Sequence, residues 1–361
     1  TKLRDVAKYG DGPYMTSRVG ALPEGLWESL SDSGTSPIYT LANRALGEAM
    51  QQAATQLASI DANRIGLVLS TTKADIAALE SVVSGVSSDD AMVRHILASE
   101  LAGDLADANA LRGPVQCVSV ACISGLLAIQ QGARLILSSE ADAVVVVGVD
   151  VLSHFVLAGF STLMSLDTKG CRPFDNDRHG LSLGEGAAAI VLCRSDLASA
   201  PLGRVAGWGS SNDANHLTGP SRDGSGLAMA LQRSLRMAEW APEHVEYVNA
   251  HGTGTAYNDR MEALALQTVF GEHNPPVSTS KGMLGHTLGA AGVIESVICV
   301  LSARAGLMPG TPGFSTPDAE AAPNVVQDVR CGVSYSRILK MNSGFGGTNG
   351  AVALEVEPNE A

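Results

Sequence analysis

The chain has 361 residues, 45% hydrophobic and 17% charged, enough apolar material for two packed halves or domains rather than one growing core. A formal net charge of −13 argues against nucleic acid as the main partner, because phosphate recognition needs a basic surface, and an acidic protein partner would need a local basic patch. Aromatic residues make up only 4% while glycine occurs 39 times, so the interior must be Ala, Val, Leu and Ile at close backbone approach. No segment reaches the roughly 18 uninterrupted apolar residues of a membrane span, and Thr1-Lys2-Leu3-Arg4-Asp5 has no apolar signal region. The cysteines, Cys117, Cys122, Cys171, Cys193, Cys299 and Cys331, form no C-x-x-C pair and suggest neither a disulfide framework nor a zinc site. A soluble protein of a reducing cytoplasm is expected.

Along the chain, Thr1 to Pro37 is rich in Gly, Ser and Pro and reads as an irregular lead-in without a strand. Helical spacing predicts a helix over Ile38 to Leu57, and Arg64 to Ser70 a short buried strand. Ser88-Asp89-Asp90 resembles a helix cap, with an amphipathic helix following from Ala91 to Leu105. Val115 to Val120 alternates like a strand, and Leu126, Leu127, Ile129, Ala133, Leu135 and Ile136 then recur at helical spacing. Ala143 to Val149 is almost all β-branched, as a strand covered on both faces should be. A long polar loop within Phe160 to Gly186 leads into a strand at Ala188 to Cys193, with no helix between the two strands, which predicts an antiparallel pair.

Ser195 to Pro201 is the expected boundary, giving an N-terminal half over 1–197 and a C-terminal half over 198–361. The second half repeats the order: strand Leu202 to Gly209, helix Gly224 to Glu239, strand Val245 to Ala250, helix Asn258 to Phe270, strand Val277 to Thr279, helix Leu288 to Leu307. Strands Arg337 to Met341 and Ala351 to Val356 close the chain. The recurrence points to a duplicated α/β unit.

Three residues stand at ends of these elements. Cys122 lies between a strand and a helix, where free backbone N–H groups and the helix dipole are expected to lower a thiol pKa and favour a nucleophile. His251 follows a strand and opens His251-Gly252-Thr253-Gly254-Thr255; His286 precedes a helix within Lys281-Gly282-Met283-Leu284-Gly285-His286. A lone cysteine or histidine is more often packing. All three beside glycines at element ends instead suggest one crevice.

With these residues in view, the chain resembles a β-ketoacyl-acyl-carrier-protein synthase of the Cys-His-His class, within the thiolase-like superfamily. The resemblance runs from about Ile38 to the C-terminus and rests on four motifs in order: the Cys122 turn; Asn249-Ala250-His251-Gly252-Thr253-Gly254-Thr255 with Asn258-Asp259; Ser278-Thr279-Ser280-Lys281 through His286 and Gly289-Ala290-Ala291-Gly292; and Gly344-Phe345-Gly346-Gly347-Thr348-Asn349. It implies a five-layer αβαβα sandwich with mixed sheets, and decarboxylative Claisen condensation of a Cys-bound acyl group with malonyl-acyl carrier protein, in fatty-acid or polyketide-like synthesis. On this resemblance Cys122 is the nucleophile, and its N–H with that of Phe345 forms the oxyanion hole. His251 and His286 hold the malonyl thioester carbonyl as Nε2–H donors. Lys281, Glu295, Asp259 and Glu262 support the site, Thr253 and Thr255 contact pantetheine, and Phe345 gates the acyl pocket. No metal and no bound cofactor are implied; phosphopantetheine arrives on acyl carrier protein, and a homodimer is the family habit, with a heterodimer as the other arrangement.

Three departures stand out. Nothing before Ile38 resembles the family's first strand, the stretch from Thr72 to Gly113 is short in a region that bears on the acyl pocket, and Ser343 stands where phenylalanine is usual, so a wider gate is expected. The alternatives are a malonyl decarboxylase or chain-length-factor-like partner subunit, and a scaffold in which Cys122 is structural.

Overall fold

Alternation along the strands sorts the interior into layers. The computed structural model describes residues 3–10, 12–16, 18–31, 35–85, 93–318 and 323–357. In the first half, β1 (Ile65–Ser70), β2 (Val115–Val118), β3 (Ala143–Asp150) and β4 (Gly186–Cys193) form a sheet in the order β2-β1-β3-β4. β1 is parallel to β2 and β3, while β4 returns antiparallel to β3 with Val146 opposite Ile190. In the second half, β5 (Gly203–Asn212), β6 (Tyr247–Asn249), β7 (Val277–Ser278), β8 (Arg337–Gly344) and β9 (Thr348–Val356) run in the order β5-β9-β8-β6-β7. β8 is parallel to β6 and β6 to β7, and β9 is antiparallel to both β8 and β5. β1, β2, β3 and β4 therefore correspond to β6, β7, β8 and β9, and the expected duplication is present in the topology.

Among the described residues, besides short turns of helix at Ala54–Leu57 and Lys281–Leu284, the helices are α1 (Glu24–Ser31), α2 (Pro37–Gln52), α3 (Ile76–Val83), α4 (Ala98–Ala108), α5 (Ser124–Leu137), α6 (His154–Thr162), α7 (Ser225–Ala238), α8 (Ala256–Phe270) and α9 (Ala291–Arg304). Successive strand residues face opposite ways. Leu67, Leu69, Val145 and Val147 pack outward against Ile38, Leu46, Leu101 and Leu105 of α2 and α4. Val68, Val144 and Val146 face the middle, where Leu126 and Ile129 of α5 and Val293 and Cys299 of α9 meet Ile338 and Val352 of the second sheet. Leu339, Met341 and Ala351 cover the far side against Leu231 of α7 and Met261 of α8. The order is helix, sheet, helix, sheet, helix, the five layers expected. Each fully buried Leu, Ile or Val contributes roughly 1.5–3 kcal/mol.

Several elements differ from expectation. The lead-in contains α1 and a two-residue ladder pairing Arg4–Asp5 with Arg18–Val19. Of the helix expected from Ala91 to Leu105, the first residues, Ala91 and Met92, and the supposed cap, Ser88 to Asp90, lie outside the described residues; a 3₁₀ turn at Arg94–Ile96 then precedes α4. The helix expected over Leu288 to Leu307 is a 3₁₀ turn, Leu288–Ala290, then α9, which stops at Arg304 before a two-residue strand at Leu307–Met308.

Candidate active site

Cys122 sits in a tight turn between β2 and α5. Ala121 takes φ +43°, a left-handed backbone that costs an L-residue roughly 1–2 kcal/mol. Ser124 closes the turn: its Oγ accepts from the Val120 N–H at 2.7 Å and donates to the Ala121 carbonyl at 2.6 Å. His286 occupies the corresponding turn of the second half, after β7 and before α9. Its N–H donates to the Ser182 carbonyl at 2.7 Å, and its carbonyl accepts from the Gly184 N–H at 2.9 Å, so the polar loop of the first half clips it in place.

Two glycines bring these turns together. A Cβ on Gly292 would lie 2.4 Å from the Leu126 nitrogen, and one on Gly125 would lie 2.8 Å from the Gly292 nitrogen. The first turns of α5 and α9 thus touch backbone to backbone, an approach that only glycine permits.

His251 follows β6, the counterpart of β1. Glu262 of α8 accepts from the His251 N–H at 3.0 Å and the Gly252 N–H at 2.8 Å; Asp259 accepts from Thr253 at 3.1 Å, Gly254 at 3.2 Å and Phe174 at 2.7 Å. These two carboxyls stand behind the His251 loop and hold its backbone. Burial and neighbouring Asp259 push the Glu262 pKa up to about 8, against the hydrogen bonds from Gly252 and Asn258. Thr253 is buried, with its hydroxyl 2.9 Å from that of half-buried Thr255.

The three residues converge. The Cys122 sulfur and one nitrogen of each imidazole lie within 4.8 Å of one another, and the His251 and His286 rings meet edge to face with centroids 5.0 Å apart. The Phe345 backbone N–H is near enough to the Cys122 thiol to lower its pKa. Phe345 follows β8, stacked on Phe160 of α6 at 5.7 Å. Ser343 is tied to Asn349, its hydroxyl donating to Oδ1 at 2.8 Å.

Burial governs the charge states. It pushes the Cys122 thiol up to about 11, although Lys281 and the Phe345 N–H pull the other way. The thiolate expected from a helix terminus is therefore not the resting form, because desolvation outweighs it. Burial, helped by Lys281, lowers His286 to about 3 and holds His251 well below the ordinary imidazole value, so both rings are neutral.

Lys281 and Lys340 flank Glu295. Their nitrogens lie 2.5 and 2.8 Å from its two carboxylate oxygens. Although burial opposes ionisation, the two ammonium groups hold Glu295 at about 2. Lys340, Asn342 and Phe160 were not singled out from sequence. The first had a signal: one lysine within the apolar run Ile338-Leu339-Lys340-Met341.

Sulfur and two imidazoles at this spacing form a set that could hold a metal ion. The hydrogen bonds oppose it at His286: its Nδ1 accepts from the Leu288 N–H at 3.3 Å, which leaves the proton on Nε2, facing the thiol. The His286 Nε2 has no protein partner. A buried, unpartnered N–H donor suits a developing oxyanion.

The neutral histidines set an acid limit. The unfolded chain protonates His286 near 6.5 and the folded chain only near 3, so stability is expected to fall as pH drops below 6.5. Each such histidine removes about 1.4 kcal/mol per pH unit, and Glu262, raised to about 8, opposes one of them over the same range. Urea unfolding at pH 7.5, 6.5 and 5.5 measures it: relative to wild type, His286→Gln should lose less stability below pH 6.5, and a variant with the same pH dependence as wild type would refute it.

The sequence matches the family models described as "Beta-ketoacyl synthase, N-terminal domain" over residues 21–198 and "Beta-ketoacyl synthase, C-terminal domain" over 202–315. It is 37% identical over 257 residues to 3-oxoacyl-[acyl-carrier-protein] synthase 2 of Coxiella burnetii, covering 68% of this chain and 62% of that protein. It is 31% identical to the tetracenomycin polyketide synthase ketoacyl synthase alpha subunit of Streptomyces glaucescens, covering 98% of this chain and 90% of that one. A solved ketosynthase in complex with its chain length factor, from Xenorhabdus doucetiae, superposes with a TM-score of 0.81 at 30% identity, covering 96% of this chain and 86% of that chain.

Proposed function

The chain belongs to the β-ketoacyl synthase family, and from that premise we propose that it condenses a Cys122-bound acyl group with malonyl-acyl carrier protein to give 3-ketoacyl-acyl carrier protein. The observation that supports this reading is the convergence of one buried thiol and two neutral imidazoles on a common point. In the first step the Cys122 sulfur attacks the acyl thioester. Negative charge gathers on the carbonyl oxygen between the Cys122 and Phe345 N–H groups, and the thiol proton leaves on the departing carrier thiol. In the second step the malonyl thioester oxygen accepts from Nε2–H of His251 and His286. The bond to the carboxylate breaks, carbon dioxide leaves, and the electron pair moves into an enolate held by those donors.

The enolate carbon then attacks the acyl thioester, the tetrahedral intermediate expels the Cys122 sulfur, and the sulfur takes up one proton. A thiol pKa near 11 makes that reprotonation complete at neutral pH. Lys281, Lys340 and Glu295 together leave one uncompensated positive charge beside the histidines, which favours both neutral rings and an anionic enolate.

The proposed partner is acyl carrier protein, which brings phosphopantetheine past Thr253 and Thr255. Dimerisation is proposed along β2, an edge strand whose Val115 is 41% exposed. The free cysteines suit a reducing cytoplasm, and no helix among the described residues is long and apolar enough to cross a membrane.

Incubation with acyl carrier thioesters of several lengths, followed by intact-protein mass, is expected to show one acyl adduct on Cys122. Adding malonyl carrier protein should release it as 3-ketoacyl carrier protein with one carbon dioxide per product. Carbon dioxide without product would instead establish a decarboxylase-only subunit.

A further inference from the structure

Condensation as proposed above needs His251 to present a proton at Nε2, and a neutral imidazole carries its proton there only if Nδ1 is left as an acceptor. Asn342 faces that nitrogen: its Nδ2 lies 2.7 Å from His251 Nδ1, and both residues are buried. The same amide nitrogen lies 3.4 Å from Glu295 Oε2, while the Asn342 Oδ1 has no hydrogen-bond partner.

These contacts decide which way the amide points. Turned over, Asn342 would set its carbonyl oxygen against a carboxylate oxygen of Glu295. Glu295 cannot relieve this by taking up a proton, because Lys281 and Lys340 hold one of its oxygens each. The amide nitrogen therefore faces His251, and an N–H donor there requires a lone pair on Nδ1.

We propose that Asn342 is the positioning residue that sets the His251 tautomer, with its own orientation imposed by the Glu295 carboxylate between two buried lysines. The inference rests on the condensing-enzyme reading for its purpose, but not for its test. At His286 a backbone N–H does the same task, so the two rings receive their tautomers from unrelated donors. Both then direct N–H toward the substrate oxygen. The side-chain donor can be changed by mutation; the backbone one cannot.

The test uses the full chain with ¹⁵N-labelled histidine. In the wild type, the His251 resonances are expected to show protonated Nε2 and bare Nδ1. Asn342→Asp keeps the shape but offers an acceptor, and is expected to move the proton to Nδ1. Malonyl decarboxylation should then fall roughly 10- to 100-fold, by analogy with the partners that fix the tautomer of metal-bound histidines, and further than Cys122 acylation falls. Asn342→Ser retains an O–H donor and should recover part of the loss. A wild-type His251 protonated at Nδ1, or an Asn342→Asp variant with equal losses in the two half-reactions and an unmoved proton, would overturn the proposal. If the wild type makes no ketoacyl product yet shows Nε2–H, the condensation reading fails and the tautomer assignment stands.

Discussion

Cys122→Ala is expected to lower condensation at least about 10³-fold, roughly 4 kcal/mol of transition-state stabilisation, while malonyl decarboxylation persists. The split follows from geometry. Among the described residues no other cysteine sulfur lies with the two imidazoles, and Cys171 is occupied, its thiol donating to the Thr253 carbonyl at 3.0 Å. The enolate donors on His251 and His286 do not depend on the sulfur. Removing either histidine should give the reverse: acylation without decarboxylation. Intact mass reads the first half-reaction, and carbon dioxide release reads the second. An alanine variant that still turns over acyl chains, or that retains an acyl adduct within the site, would dismiss Cys122 as the nucleophile.

The second large effect concerns packing. Gly292→Ala would drive a methyl group to 2.4 Å from the Leu126 nitrogen and 2.8 Å from the Gly125 carbonyl carbon. These are backbone atoms of a helix that is itself wedged in the central layer, so no side chain can rotate away. A cost of at least about 3 kcal/mol is expected, at the upper end for overpacking, with loss of soluble protein or a sharply lower melting temperature. Whatever protein folds should condense slowly, since separating the two helix starts separates the Cys122-bound acyl group from the enolate held at His286. Gly47→Ala in α2 and Gly103→Ala in α4 are the controls. A Cβ at either meets nothing within 4 Å, and each is expected to raise stability by about 0.5–1 kcal/mol. A Gly292→Ala protein as stable as those controls would show that the helices do not cross as described.

Much of this architecture is legible in the residue pattern itself. β3 is a run of valines whose alternate members fill two different layers, and both closing strand pairs are antiparallel neighbours, although α6 stands between β3 and β4 where no helix was expected. The candidate site is legible because its members stand at element ends beside glycines. What the pattern hides depends on contacts across the chain. α1 carries Gly25 within a short helix, a composition that argues locally for a loop, and it forms where Leu26, Trp27 and Leu30 reach the outer core. The expected thiolate fails for a similar reason: a strand-to-helix turn displays its dipole in the sequence, whereas the depth at which it is buried is a property of the whole fold. Asn342 and Glu295 meet over 47 positions. An asparagine near a glycine-rich loop reads as turn chemistry until its neighbours are known.

Cys122 and His286 occupy one and the same place in two copies of a single building plan. An assembly of two identical copies would have set two like residues face to face at that crossing. Joining the copies in one polypeptide removes the obligation to be alike, so one position can specialise in bonding to the substrate while its twin specialises in holding charge. Asymmetric chemistry is thereby drawn from a symmetric frame, and the seam between the copies, rather than either copy alone, is where new reactivity can be selected.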